Sequence, residues 1–579
     1  MKNQTISLTI NGKTITAETG KTILEIAREN NIEIPTLCYH PDLEAKAGCR
    51  LCLVQIEGEK NLITSCSTIA TDGMNITTNN EEILRTRKIN IELLLAQQQD
   101  KKPAKNNKLL QLAKEYNVTK PRFPNRKINY PTYHFGHSIK FNSALCIDCR
   151  NCVDICDKQS IEYLEIKENK HFLEVTPASE QEHKNCISCG QCVTHCPVGA
   201  LDTTDSIDEI QQILNQKNKT VVFQFAPAIR TSIGEEFGFP PGKVLTDEMV
   251  SALKKLGVDY VFDVSVGADV TTIEEARELI RRLQGNEPLP MFTSCCPAWV
   301  RFVEHNHPEL IPNFTTVRSP HIILGGLTKT YWAEKHAIAP ENIIVISIMP
   351  CIAKKYEASR SEMNINNLPP VDYVLTTREL AQLLKNNHID LQQCTPEKAD
   401  DFFGNPSGAG VIYGASGGVM ESALRTGYKE LTGEELPNLN LQEVRGLKGF
   451  KEAEITIGKA TLKVAVTSGI KNAKLIIEKL KENPNAYHYI EVMACPGGCI
   501  GGGGQPIPVS PEIRKKRAEG LYSIDNHKKN RLAHQNPAIK TLYEKFLNNH
   551  QNIHTTCHTT YKQKAYEPVR ISFPKEDQT

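Results

Sequence analysis

Nowhere does the sequence run eighteen apolar residues together, which argues against a membrane-spanning helix. Residues 1–10 alternate polar and apolar in the manner of a strand and lack the apolar core of a signal peptide, so a cytoplasmic protein is expected. Charge of one sign is missing too: 68 Lys and Arg stand against 67 Asp and Glu, a formal net charge of +1, which excludes a broad basic face for nucleic acid or an anionic membrane. The glycine run at residues 501–504 is not followed by Gly-Lys-Ser/Thr, so it is no Walker phosphate loop. Between Cys66 and His134 there is neither a histidine nor a cysteine.

What is abundant is cysteine, 19 in a chain of 579 residues. Disulfide scaffolds suit short secreted chains, whereas most of these cysteines fall into tight two- and three-residue spacings. Cys495 and Cys499, four apart and wrapped in glycine, read as thiolates presented to something bulky that approaches bare backbone, and a metal cluster is the better fit. The length and the 40% apolar content are enough for several domains with buried cores.

At the head of the chain, Ile6 to Ile10 and Thr14 to Ala17 read as a hairpin about Asn11-Gly12, and Thr22 to Asn30 as a short helix. Cys38, Cys49, Cys52 and Cys66 follow: one loop wraps a [2Fe-2S] cluster and a distant thiolate closes it, with zinc as the rival reading. This part resembles the ferredoxin-like module of respiratory NADH dehydrogenase large subunits and of multi-cluster hydrogenases, which implies a β-grasp domain over residues 1–80. In those families one His and three Cys then hold a further [4Fe-4S] cluster. Here residues 97–105 offer only glutamine, aspartate, lysine, proline and alanine; an ammonium has no lone pair and an amide is a poor iron ligand. That cluster is expected to be absent, and residues 81–140 to form a remnant helical linker with helical periodicity from Lys108 to Tyr116.

The most specific spacing begins at Cys146. Cys146, Cys149, Cys152 and Cys156 form C-x2-C-x2-C-x3-C, and Cys186, Cys189, Cys192 and Cys196, followed by Pro197, repeat it. This is the two-[4Fe-4S] ferredoxin pattern, in which the fourth cysteine of each run serves the other cluster. The expected sets are Cys146, Cys149, Cys152 with Cys196, and Cys186, Cys189, Cys192 with Cys156, in a domain over residues 141–205.

Beyond residue 206 the sequence takes on the texture of a large α/β domain, with Thr220 to Phe225, Tyr260 to Val264 and Ile343 to Ile348 as buried strands. Three cysteine motifs are spread across it: Thr293-Ser-Cys295-Cys296-Pro-Ala-Trp299, Met349-Pro-Cys351-Ile-Ala-Lys354-Lys-Tyr-Glu357, and Met493-Ala-Cys495-Pro-Gly-Gly-Cys499. In order and separation these resemble the signature motifs of the [FeFe] hydrogenases, of the clostridial and NADP-reducing type. The resemblance implies a multidomain α+β protein whose residues 206–579 hold the H-cluster, and a reversible reduction of protons to H2. Cys296, Cys351, Cys495 and Cys499 would hold a [4Fe-4S] cube, with Cys499 bridging to a di-iron subcluster carrying CO, cyanide and azadithiolate. The glycines nearby would give that unit room, and Lys354 would offer a donor to a cyanide.

Cys295 is a poor co-ligand beside Cys296, because adjacent side chains point apart; by resemblance it passes protons. The path onward would use Glu275, Glu278, Thr315 and Arg282, the glutamates lying on an amphipathic helix over residues 271–283. Thr272-x-x-Glu275 also reads as a capping box. Pro227, Ala228, Ser319, His321, Met349, Lys354, Tyr413, Gly414 and Met493 would line the cofactor pocket. His321 stands where the family has an amide and is expected to titrate near neutral pH. The run from Gly408 to Gly414 has the wrong spacing for a dinucleotide loop. Cys394 is expected in a polar loop, structural or free. Cys557, among His550, His554 and His558, reads as an unpaired tail residue, with a metal site as the alternative. Expected partners are ferredoxin or NAD(P)H-oxidising flavoprotein subunits, and H-cluster maturases. Two other functions compete: a non-catalytic hydrogenase-like sensor or assembly protein, and an electron conduit of the NADH-dehydrogenase type.

Overall fold

The computed structural model describes residues 4–98, 107–127, 129–169, 172–178, 183–285, 287–457 and 460–573. The expected loss of a cluster at residues 97–105 therefore lies, from 99 onward, outside the described residues.

Alternation of Ile6, Leu8 and Ile10 with polar neighbours buries one face of strand Thr5–Ile10, and Asn11-Gly12, both at positive φ, turns the chain into Lys13–Glu18. Asn75–Thr77, Leu53–Ile56 and Ile63–Thr64 complete a five-stranded sheet, and Asn75–Thr77 runs parallel to the first strand. Helix Ile23–Glu29, opened by a Thr22/Glu25 capping box, contributes Ile23, Leu24, Ile26 and Ala27 to the same core. The expected β-grasp module is present.

After it, helix Glu81–Leu95 returns to the cluster loop. Its buried Arg87 donates from Nε to the Leu51 carbonyl at 2.9 Å and from a terminal nitrogen to Leu53 at 2.8 Å. A second sheet, fully antiparallel, runs in the order Leu201–Thr203, Ile139–Asn142, Thr132–Phe135, Arg570–Ser572. Two of its strands lie within residues 132–142 and one comes from the far end of the chain.

The largest part is built on two further sheets. Tyr260–Asp263, Thr220–Phe225, Ile343–Met349 and Tyr373–Thr376 are all parallel. Met291–Phe292, Tyr489–Met493 and Ala460–Ser468 are parallel as well, with Phe450–Ile457 antiparallel at the edge. The sequences TVVFQF and IIVISIM are nearly continuous apolar runs, as strands covered on both faces require. Helix Ser265–Gln284 starts at Ser265 rather than at Thr271, and 15 of its 20 residues are buried. Thr272 is therefore interior. Its hydroxyl meets the Ala268 carbonyl and the Tyr413 hydroxyl, each at 2.8 Å, and the capping-box reading gives way to this tertiary contact. Among the described residues no helix is long and apolar enough to cross a membrane.

Candidate active site and metal centres

Parallel sheets present their functional loops at the carboxyl ends of their strands. Four strands do so here: Thr220–Phe225 leads into Pro227 and Ala228, Met291–Phe292 into Cys295 and Cys296, Ile343–Met349 into Cys351, and Tyr489–Met493 into Cys495 and Cys499. All of these residues line one cavity of about 750 Å³, the open solvent at its mouth included. Lys354, His321, Tyr413, Gly414, Met349 and Met493 line it too. Ser319 does not, though its hydroxyl is buried without a protein partner.

Four thiols converging on one apolar cavity, with no disulfide drawing any of them away, are the donor set a cubane cluster takes. Cys296 becomes the N-cap of helix Pro297–Asn306 and accepts from the Ala494 amide at 3.4 Å, an N–H···S contact that favours a thiolate. The glycine run does something other than make room. A Cβ on Gly503 would lie 2.5 Å from the Cys189 carbonyl oxygen and 2.7 Å from the Gly190 Cα, and one on Gly504 would lie 2.8 Å from the Thr376 side chain. On Gly501 or Gly502 it would collide with the carbonyls of Pro496 and Pro350. These glycines let backbone nest on backbone, so the expected clearance reduces to Gly498 and Gly502, which alone of the loop's glycines line the cavity.

Lys354 is buried, not a surface lysine. Its Nζ donates to the Cys295 carbonyl at 3.0 Å and to Glu357 Oε2 at 2.6 Å. Burial opposes the ammonium, but Glu357 more than compensates and raises its pKa. Glu357 is pushed up by burial and pulled down further by Lys354 and His321, to about 2. His321 corrects an expectation: burial, and then Lys354, lower it to about 4, so it stays neutral near pH 7. Its ring nitrogens face Ser347 Oγ at 3.2 Å and Glu357 Oε2 at 2.7 Å, which leaves no ring donor for the cavity.

Cys295 turns its thiol toward the cavity, and burial, with the Glu275 carboxylate adding to it, raises the thiol well above its ordinary pKa. Glu275 is itself 1% exposed. Its Oε2 accepts from the Tyr489 hydroxyl at 3.1 Å while Oε1 has no protein partner, and burial first, then Glu278 and Glu491, raise it to about 8. One helical turn on, Glu278 Oε2 accepts from Thr315 Oγ1 at 2.9 Å, and Oε1 from the Arg282 guanidinium at 2.7 Å. The structure thus brings Thr315 and Arg282 into direct contact with Glu278 and sets Glu275 close enough to be raised by Glu278 and to raise Cys295 in turn.

The accessory cysteines are grouped as well. Cys38, Cys49, Cys52 and Cys66 are all buried, and the Cys49 amide points at Cys38 Sγ at 3.4 Å. In the ferredoxin part, Cys149 is raised by burial and then by Cys196, while Cys189 is raised by burial and then by Cys186 and Cys156, the crossed arrangement. Cys186, Cys189, Cys192 and Cys156 line a common cavity. Cys495 Sγ sits 3.8 Å from the Cys189 carbonyl, so this second site abuts the catalytic one. Cys394 is a free thiol in the loop after residues 391–393, its side chain buried against the main core, and Cys557 is buried in helix His550–Cys557.

Sequence reasoning missed Glu357, Ser347, Tyr489 and Thr316. Only Glu357 left a local trace, its three-residue offset from Lys354 on one helix.

Comparison with known proteins agrees with this layout. The model of the iron-only hydrogenase large subunit, C-terminal domain, matches residues 219–503, and that of the iron hydrogenase small subunit matches 511–564. A 2Fe-2S iron-sulfur cluster binding domain matches residues 3–81 and a 4Fe-4S dicluster domain 145–200. The NADP-reducing hydrogenase subunit HndD of Solidesulfovibrio fructosivorans is 40% identical over 95% of this chain and 98% of its own. Iron hydrogenase 1 of Clostridium pasteurianum is 37% identical over 96% and 100%. A solved structure of [FeFe]-hydrogenase HydA1 from Chlamydomonas reinhardtii superimposes with a TM-score of 0.56 at 38% identity, covering 62% of this chain and 99% of that one. The cytosolic Fe-S cluster assembly factor narfl of Danio rerio is more distant, 30% identical over 65% of this chain. With full-length relatives at this identity and four thiols converging in one cavity, the chain belongs to the iron-only, or [FeFe], hydrogenases.

Proposed function

We propose that the protein interconverts protons, electrons and H2 at an H-cluster held by Cys296, Cys351, Cys495 and Cys499, with Cys499 joining the cube to the di-iron subcluster that carries CO, cyanide and azadithiolate. When bound, that group would supply the redox-active iron and the base that the reaction with H2 needs. The protein's own residues do the rest. Lys354, fixed by Glu357, presents a buried cation to the cavity. Tyr413, Met349, Met493, Pro227, Ala228 and Gly414 exclude water from it. Cys295 keeps its proton at neutral pH and exchanges it with Glu275, whose raised pKa lets it both hold and release a proton there. Thr315 then connects to Glu278.

Electrons would pass from a [2Fe-2S] cluster on Cys38, Cys49, Cys52 and Cys66, through two [4Fe-4S] clusters on the crossed cysteine sets, to the catalytic cube, with residues 1–80, 141–205 and 206–579 as the corresponding domains and 81–140 as a linker without a cluster. The source is a ferredoxin or an NAD(P)H-oxidising flavoprotein subunit in the cytoplasm, and maturases supply the di-iron unit.

The observation that carries this reading is the convergence of four motif thiols and Cys295 from two separate sheets on one apolar cavity. Infrared spectra of protein coexpressed with maturases test it. Bands of iron-bound CO and cyanide are expected, and are lost in Cys499→Ser together with turnover. A sensor, an assembly factor or an electron conduit would show neither band, and iron analysis of the same samples checks the number of accessory clusters.

A further inference from the structure

In the reading above a proton reaches Glu278, whose carboxylate is only 2% exposed. Arg282 is the charged group nearest to it, and the Arg282 Nε also lies 4.0 Å from the partly exposed carboxylate of Glu287. Its Nε and one terminal nitrogen hold Glu278 Oε1 at 3.1 and 2.7 Å, and its remaining N–H groups are spent on the carbonyls of Pro288, Pro312 and Phe314 at 2.9, 3.2 and 2.6 Å. Five donors meet five contacts. This saturated, 4%-exposed guanidinium holds Glu278 Oε1 in place.

The other oxygen faces hydroxyls. Glu278 Oε2 accepts from the Thr316 amide at 3.0 Å and is contacted by two neighbouring hydroxyls, Thr315 Oγ1 at 2.9 Å on the inner side and Thr316 Oγ1 at 3.0 Å. Thr316 Oγ1 lies 2.8 Å from His558 Nδ1. His558 caps the C-terminal end of helix His550–Cys557, and its side chain is 17% exposed. Its Nε2 is 3.5 Å from Glu274, a carboxylate that also accepts from Tyr543 at 2.5 Å and pairs with Arg277 at 2.8 Å. On the solvent side stand His554 and His550, both exposed, at four-residue intervals, with ring centroids 6.1 and 5.9 Å apart in a stacked ladder. The remaining groups about His558 are Arg318, whose Nε donates to its carbonyl at 2.7 Å, and the buried thiol of Cys557.

We propose that Thr316 and His558 form the outer end of the proton path and that the His558–His554–His550 ladder is its mouth, an assignment that rests on the path through Glu275 and Glu278. Outward, a proton on Glu278 Oε2 passes to Thr316 Oγ1 as that hydroxyl gives its own proton to His558 Nδ1, and His558 releases the proton on Nε2 to water; inward, each step reverses. One proton enters and one leaves, with no electrons moved. A hydroxyl with one hydrogen and two lone pairs between a carboxylate and an imidazole is the unit such a relay needs. Glu274, 3.5 Å from Nε2, faces the imidazolium while it is loaded.

The test compares turnover of the fully assembled enzyme from pH 6 to 8.5 in Thr316→Val, Thr316→Ser, His558→Gln and Glu278→Gln. His558→Gln and Thr316→Val are expected to be slower by about tenfold or more. Added imidazole restores His558→Gln but not Thr316→Val, and Thr316→Ser recovers most of what Thr316→Val loses. A second measurement needs no turnover: in protein made without maturases, the 15N-histidine NMR titration midpoint of His558 shifts on Glu278→Gln, and this coupling disappears when Thr316 is valine. Full-rate turnover in His558→Gln, with Glu278→Gln slowed, overturns the exit and leaves the inner path standing. A His558→Gln defect that imidazole does not rescue, with no NMR coupling, also overturns it, since His558 would then be a packing residue. Full-rate turnover in Glu278→Gln removes the inner path and the exit together.

Discussion

Glu275→Gln is expected to slow the enzyme and stabilise the protein at once. The carboxyl is buried beside Glu278 and Glu491, and its pKa rises from 4.5 to about 8. The unfolded chain gives up this proton near 4.5 while the folded one keeps it to about 8, so the folded state is penalised progressively over that window and constantly above it. At pH 7 the gap is roughly 2.5 units, on the order of 3 kcal/mol at about 1.4 kcal/mol per unit. At pH 5 it is below about 1 kcal/mol, and at pH 8 about 4 kcal/mol. A neutral amide of the same shape removes the penalty but cannot carry a proton, which costs about 10²- to 10⁴-fold in rate. Urea midpoints of protein made without maturases, measured for both forms from pH 5 to 8, should therefore diverge, with Glu275→Gln increasingly the more resistant. Infrared spectroscopy gives the direct check: a protonated-carboxyl band present at pH 7, titrating near 8 and missing in the variant. Parallel midpoints across that range, or no such band at pH 7, would refute the reasoning.

Glu357→Gln should be costly, because it leaves the Lys354 ammonium buried without its counter-charge: about 3–5 kcal/mol, read as a lower urea midpoint at pH 7. His321→Gln, by contrast, should leave the pH profile unchanged between 6 and 8, since His321 is lowered to about 4; a lost inflection near 6.5 would contradict the neutral assignment. Gly503→Ala places a methyl against the Cys189–Gly190 backbone, a strain of about 1–3 kcal/mol, and stopped-flow reduction of the catalytic cluster through the ferredoxin part should slow; an unchanged rate would show that the contact is dispensable.

Much of this was legible because thiolate spacing is local. Each C-x2-C-x2-C-x3-C run fixes three ligands within seven residues, and Asn11-Gly12 announces its own turn. What escaped depends on contacts made across the chain. Thr272 looks like a helix cap until Tyr413 is seen at its hydroxyl. His321 looks like a neutral-range titrating group until burial and Lys354 are counted. Thr316 meets His558 from 242 residues away, so no reading of either neighbourhood finds the pair, although the four-residue rhythm of His550, His554 and His558 was visible. The glycine run demands close approach, but whether to a cofactor or to backbone is decided only by what lies opposite.

The second sheet has a mechanical consequence. Leu201–Thr203, from which the chain departs into the catalytic part, lies at one edge of it, and Arg570–Ser572, by which the chain returns, lies at the other. The catalytic part is thus buckled at both ends onto the same four-stranded plate, a closed ring in which a hinge would have to unzip one edge before it could open. Between the buckles, Gly503 presses on the loop of Cys189 and Cys495 touches its carbonyl. The relay site and the catalytic site are held at one spacing, like two contacts in a single casting, so the last electron step is set when the chain folds.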